Sequence, residues 1–283
     1  MAAPPQRLIV AALVGIALLS ARAQPAERII SLVPALTEML FAIGAGPQVI
    51  AVSSYDDYPP EVKSLPKVGA LLDPDTERIL SMRPTLVLIY GSQDDLRAQL
   101  QRTGIAVFDY RHGGLAHVTA TIRRLGEATG LTEEARGVAD GIEARLEATR
   151  RRVAGRPRPR TMLVFSREAL SLRNVFVSGG RGFLHDILEA AGGTNVFADV
   201  DREGVRASTE MMLTRRPDVI VELHNGDPPP GDGVQREREV WAVLSAIPAV
   251  KTRRTHLLYG DHLLVPGPRV AQAADEIARV LHP

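Results

Sequence analysis

Short apolar runs alternate along this chain with segments of helical period. "RIISLVPALTEMLFAIGAGPQVIAVSS" (28–54) opens with an apolar run and breaks at a proline. It then places apolar residues at helical spacing up to a glycine and closes in a second run rich in Val and Ile. The order predicted is strand, helix, strand. "DPDTERILSMRPTLVLIYG" (73–91) adds a capped helix, an Arg-Pro stop and the strand "TLVLIY", and "LRAQLQRTGIAVFDY" (96–110) repeats helix, glycine, strand. After residue 160 the order returns, with strand "TMLVFS" (161–166), helix "GFLHDILEAAGG" (182–193) and "STEMMLTRRPDVIVEL" (208–223). Such alternation implies mainly parallel sheets covered on both faces.

The two halves share wording. "TERILSMRPTLVLIY" and "TEMMLTRRPDVIVEL" both read Thr-Glu, five residues, Arg-Pro and an apolar strand, so Glu77 precedes Pro84 by the interval at which Glu210 precedes Pro217. We read two related α/β lobes. Between them "TEEARGVADGIEARLEATRRRVAGRPRPR" (132–160) carries Ala135, Val138, Ile142, Leu146 and Val153 at roughly helical spacing and ends in a Gly/Pro/Arg linker. At 1.5 Å per residue such a helix reaches about 33 Å, enough to cross two lobes. The expected fold is α/β, two Rossmann-like lobes joined by one long backbone helix, with a ligand cleft between them. The expected division is 24–131, 132–159 and 160–283.

The N-terminal end changes the setting. Arg7, the apolar run "LIVAALVGIALL" (8–19) and "ARA" (21–23) have the order of an export signal cleaved near Ala23. The apolar run of 12 residues is shorter than the ~20 that span a bilayer. With no cysteine, the chain has no disulfide, thiolate metal site, cysteine nucleophile or lipid-modified cysteine. A free periplasmic protein is expected. The net charge of +1 gives no support to nucleic-acid binding, and the arginines of 150–160 read as a solvated helix end favoured by the helix dipole.

Candidate chemistry gathers at strand ends. "VSSYDDYPP" (52–60) places two of the five tyrosines and two aspartates before a proline pair, in a chain that is only 4% aromatic. Alone, it is a proline-terminated turn in which an aspartate bonds its own backbone; it also has the groups of an oxygen-ligand site or a cleft wall. Tyr90 and Gly91 close one strand, while His112, His224 and His262 follow others. "SGGRG" (178–182) reads as a tight strand-to-helix turn, and Trp241 as a packing residue. Glu77 and Glu210 each follow a threonine in the first turn of a helix, where a carboxylate is favoured. No G-x-S-x-G, H-E-x-x-H, P-loop or G-x-G-x-x-G is present. An exported hydrolase is therefore the alternative of a different class, and an enzyme is not expected.

"RIISLVPALTEMLFAIGAG", "VSSYDDYPP", "LPKVGALLDPDTERILSMRPTLVL", "FVSGGRGFLHDILEAAGGTNVF" and "GDHLLVPGPRVAQAADEIARVL" together resemble the periplasmic binding proteins of ABC importers with a helical backbone, the cobalamin, haem and ferric-siderophore receptors. "VSSYDDYPP" is most similar to the cobalamin-binding members. The resemblance implies that Tyr55 faces the ligand while Asp57, Tyr58 and the prolines shape the turn. It also implies that Asp261, His262, Leu263, Leu264 and Val265 face it from the other lobe. Where those members are aromatic, this chain has only His262 in the second segment, and Leu71 where they have tryptophan. Haem members use a tyrosine after an "LP.VG" segment, where this chain has Ala70 and Leu71. Arg111, Arg167 and Arg181 are the arginines a siderophore would favour. Glu77 and Glu210 are implied to dock on the permease subunits. The expectation is thus a monomeric receptor for cobalamin or a related corrinoid, with haem or a ferric siderophore as the alternative cargo. It has no resident cofactor or metal, and an inner-membrane ABC permease dimer with its ATPase as partner.

Overall fold

The computed structural model describes residues 25–283, so the export signal read at 1–23 lies outside them. The first lobe comprises β1 (Ile29–Ser31), α1 (Pro34–Ala42), β2 (Val49–Val52), α2 (Thr76–Ser81), β3 (Leu86–Tyr90), α3 (Asp94–Arg102), β4 (Ala106–Tyr110) and α4 (Leu115–Thr129). Its sheet has the order β2-β1-β3-β4, every pair parallel. The connector is α5 (Thr132–Val153). The second lobe follows with β5 (Arg160–Ser166), β6 (Phe176–Ser178), α6 (Gly182–Ala190), β7 (Thr194–Asn195), β8 (Gly204–Arg206), α7 (Thr209–Arg215), β9 (Val219–His224), α8 (Gly233–Glu239), α9 (Pro248–Lys251), β10 (Thr255–Tyr259) and α10 (Val270–Leu281). Its sheet has the order β10-β9-β5-β6-β8. β10, β9 and β5 are parallel, whereas β6 and β8 are antiparallel and depart from the βα rhythm.

Each central strand alternates its side chains between two cores, as a pleat of period two requires. Leu86 and Leu88 of β3 face inward, Val87 and Ile89 outward onto α2 and α3. In β9, Val219, Val221 and Leu223 face inward and Ile220 outward onto Met212 and Trp241. The inward residues of both sheets meet one apolar layer built from α1, α4, α5, α6 and α10, with Leu36, Ile122, Ile142, Leu146, Ile187 and Ile277 among its members. The lobes therefore share a core rather than hang on a linker.

The layer depends on a close crossing. A Cβ at Gly126 of α4 would lie 2.3 Å from the Ala135 side chain of α5 and 2.9 Å from the Leu131 carbonyl. Gly130 turns the chain between the two helices at φ 78°, a conformation open to glycine. The α5 helix stops at Val153 and Gly155 follows at φ 77°. The arginines of 150–160 are not simply solvated. Arg152 pairs with Asp275, Arg158 with Glu189, and Arg156 donates to the His282 carbonyl, fastening the connector to the second lobe.

The shared wording of the two halves has a structural counterpart. Arg83 and Arg216, each before a proline, are left-handed at φ 48° and 47°, ending α2 and α7 in the left-handed residue with which many helices terminate. Arg28 before β1 donates to the Met82 and Arg83 carbonyls, and Arg160 of β5 to that of Arg215. The helix N-caps are Asp75, accepting from Arg78 N–H, and Ser208, accepting from Met211 N–H. Thr76 and Thr209 are the first helical residues, one position later than a cap.

Gly126→Val is expected to lower the unfolding free energy by about 2–4 kcal/mol, since neither neighbour is the end of a flexible chain. Gly137→Ala, in α5 with no atom within 4 Å of the added carbon, is expected to be neutral or to stabilise by about 0.5–1 kcal/mol. Urea denaturation of both variants measures the contrast.

Candidate functional site

The C-terminal ends of strands from both lobes open onto two adjoining hollows. One, of about 220 Å³, is walled by Leu32 to Ala35 at the β1–α1 junction, by Leu71, Tyr90 and His112, and from the second lobe by Leu264, Val265 and Pro266. The other, of about 320 Å³, is walled by Phe165, Arg181 to Leu184, Glu203 and Gly204, and again by Leu264. The 264–266 segment thus faces first-lobe residues across a cleft. Larger hollows lie elsewhere: about 770 Å³ around Arg238, Trp241 and His256, about 610 Å³ at the C-terminal end of α5, and about 400 Å³ between Phe41, Gly46 and Leu65.

The first-lobe wall is aromatic. Tyr90 and His112 have ring centroids 4.9 Å apart, and Tyr110 stands edge-on to both. The Tyr110 hydroxyl is 3.3 Å from His112 Nδ1. Burial lowers the His112 pKa from the ordinary imidazole value; Glu203 pulls the other way and His117 adds to the fall. Burial also raises that of Tyr110, with Tyr90 and Glu203 adding to the rise. Glu203 belongs to the opposite wall, so the two hollows are electrically in touch. Gly91 follows Tyr90, and its carbonyl accepts from Arg97 and Arg111. A Cβ there would lie 2.7 Å from Arg111 Nε, so a larger residue would displace the Arg111 side chain.

"VSSYDDYPP" forms a rim. Tyr55 is 73% exposed and lines neither hollow. Asp56, not Asp57, shapes the turn: it is buried and accepts from the Ser53 N–H at 2.9 Å. Burial raises the Asp56 pKa against hydrogen bonds from Thr37 and Ser53. Tyr58 lies beneath the Arg269 guanidinium of the second lobe, 3.8 Å from the ring centroid. Among the described residues no three His, Asp or Glu side chains are grouped so as to hold a metal ion.

Several expected contacts lie elsewhere. His262 is buried against α10, its Nε2 3.0 Å from Glu276, because the short 3-10 turn Asp261–Leu263 directs it inward. Leu263 is in the common core. Asp261 accepts from the Gly226 N–H on a surface loop. Of the "DHLLV" stretch, only Leu264 and Val265 line a hollow. His224 stacks on Tyr259, with centroids 4.6 Å apart, and contacts Glu222 at 2.9 Å.

Arg167 is likewise removed from the cleft, its side chain only 2% exposed. It lies 2.7 Å from both Glu222 and Glu237, while the Trp241 N–H donates to Glu222 at 2.9 Å. Burial opposes ionisation of Glu222, yet His224, Arg167 and the Trp241 N–H outweigh it and hold the carboxyl below its ordinary range. Arg181 pairs with Asp201 at the cleft edge. Phe165, Phe183 and Glu203 are wall residues that sequence reasoning did not single out. Phe165 lies within the strand "TMLVFS" that it did read, and Phe183 directly follows the turn "SGGRG".

With this geometry in place, the comparisons with known proteins fall into one group. A family model described as "Periplasmic binding protein" matches residues 29–258. Vitamin B12-binding protein of Yersinia pestis (strain Pestoides F) is 33% identical over 213 residues, which are 75% of this chain and 74% of that one. The crystal structure of the periplasmic vitamin B12 binding protein BtuF of Vibrio cholerae superposes with a TM-score of 0.76 at 26% identity, covering 91% of this chain and 97% of that chain. The apo periplasmic heme-binding protein RhuT from Roseiflexus sp. RS-1 superposes with a TM-score of 0.74 at 28% identity, covering 91% and 98%. The chain belongs to the periplasmic binding protein family. Its fold is that of the class III members, with a long helix between two α/β lobes, and the family's members are substrate carriers rather than enzymes.

Because the folded state disfavours the charged form of His112, its stabilising contribution is complete above the ordinary value of 6.5 and is lost as pH falls through the depressed folded value. His112→Gln is expected to flatten the decline of the urea midpoint between about pH 7 and pH 5. An unchanged slope would place that decline on other groups.

Proposed function

We propose that this protein is the periplasmic receptor of an ABC importer that captures cobalamin or a related corrinoid and hands it to an inner-membrane permease dimer with its ATPase. The observation that carries the reading is the interlobe cleft, whose walls come from both lobes and combine flat rings, Tyr90 and His112, with aliphatic Leu71, Leu264 and Val265. Such a wall suits a broad, largely uncharged face held by apolar contact and a few hydrogen bonds. The curated vitamin B12-binding relatives support the corrinoid over other cargo. The solved heme-binding neighbours RhuT and BhuT support haem as the second reading.

In this reading Tyr90, Gly91, His112, Leu264 and Val265 form the seat, with Phe165 and Phe183 completing it and exposed Tyr55 closing over the ligand from the rim. His224, Asp261, His262 and Leu263 act behind the seat rather than in it. The corrinoid is cargo and not a cofactor. Glu77 and Glu210, both exposed and absent from the ion pairs of the described residues, are the docking carboxylates. They occupy equivalent second positions of α2 and α7, where the helix dipole favours a negative charge. The receptor acts as a monomer outside the inner membrane.

Calorimetric and absorbance titrations of the mature chain with cyanocobalamin, cobinamide, haemin and a ferric siderophore test the cargo. Saturable one-to-one binding of a corrinoid in preference to haemin is expected, and no heat with either corrinoid would overturn the assignment. For docking, Glu77→Ala combined with Glu210→Ala is expected to abolish uptake into cells while the purified variant binds ligand as the parent does. Loss of ligand affinity in that double variant would remove the docking role.

A further inference from the structure

Arg269 precedes α10 in the second lobe and reaches the first lobe twice. Its Nε and Nη2 donate to Glu38 Oε2 and Oε1 at 2.9 and 2.6 Å. The same guanidinium lies over the Tyr58 ring, 3.8 Å from the centroid. Glu38, in α1, is only 4% exposed. The approach is tight: a Cβ on Gly267 would stand 3.2 Å from Glu38 Oε2. A planar guanidinium can fork onto a carboxylate and stack on a ring at once, which an ammonium cannot.

The contact bears on the cleft from three sides. Glu38 belongs to the helix whose first residues, Pro34 and Ala35, wall the hollow. Tyr58 belongs to the rim that carries Tyr55. Arg269 itself lies three residues beyond Pro266, the last second-lobe residue of that wall. Two other ties between the lobes and the connector, Asp186 to the Leu115 N–H and Asp275 to Thr149 and Arg152, are made by residues outside the hollow's lining.

We propose that Arg269 is a positioning residue for the cleft: it latches α1 and the 55–60 rim to the second lobe, and thereby sets the spacing of the two walls and the rate at which a held ligand escapes. The escape rate rests on the receptor reading above; the wall spacing does not. Since the chain has no cysteine, Leu72→Cys and Val243→Cys, at positions 94% and 77% exposed on the two lobes, accept spin labels without background. Distance distributions are then measured on the ligand-free protein.

Glu38→Gln with Arg269→Met removes both charges and strands neither. It is expected to broaden the interlobe distribution and, in a stopped-flow measurement with cyanocobalamin, to speed dissociation by about tenfold. Arg269→Lys is expected to fall between this pair and the parent. Tyr58→Leu, which leaves the ion pair in place, is expected to speed dissociation by a smaller factor. Should the double variant not fold, the Lys and Leu variants decide the matter, since both keep a counter-ion for Glu38. Variants that melt earlier yet retain the parental distribution overturn the proposal and reduce Arg269 to a stability contact. If cyanocobalamin does not bind the parent, the receptor reading fails while the label distances still test the latch.

Discussion

Helices α1, α4, α5, α6 and α10 bury their apolar faces against one another and against the inner faces of both sheets, so the spacing of the lobes is set by packing density rather than by linker length. The Gly126–Ala135 crossing is a close expression of that constraint. A side chain at Gly126 would push α5 away from α4, and α5 with the linker after it carries the second lobe through Arg152 and Arg158. Everything that faces the cleft inherits its position from this layer. Tyr90 and His112 stand at or just beyond strand ends on one side of it, and Leu264 and Val265 follow a strand end on the other.

Polar groups then refine what the apolar layer fixes coarsely. Asp186 of α6 accepts from the Leu115 N–H at 2.8 Å, standing where a cap side chain would stand. That is why Gly114 opens α4: a Cβ there would meet Asp186 Oδ2 at 2.2 Å. The carboxylate of one lobe thus satisfies an orphan helix donor of the other. Glu222 performs an internal version of the same task, gathering Arg167, His224 and Trp241 at one end of β9. Buried charge of this kind is costly to break, because removing one partner leaves the other buried and unpaired.

Much of this was legible in the sequence because periodicity is a local signal. The βα order of the first lobe, the long connector and the Arg-Pro stops follow from spacing and from proline's effect on its predecessor. The strand β8 and the antiparallel direction of β6 escaped because each has only three residues, too few for a period to register. Within the candidate site, residue type marked segments beside the cleft, and the structure sets several of their named members away from the hollows. His262 turns inward because the 3-10 turn rotates it toward Glu276, and Asp56 rather than Asp57 bonds the backbone, matters of a single dihedral that no composition reveals. The Glu38–Arg269 pair joins positions 231 residues apart, and nothing local in either segment announces the other.

The position of Trp241 has a spectroscopic consequence. It is the chain's single tryptophan, 1% exposed, with its indole N–H committed to Glu222. It lines neither cleft hollow. Its emission is therefore a one-site signal from the interior of the second lobe, sensitive to the charge of Glu222 and its companions. A coloured ligand in the cleft would quench it by energy transfer through the protein, whereas a colourless one would leave it unchanged unless β9 itself shifted.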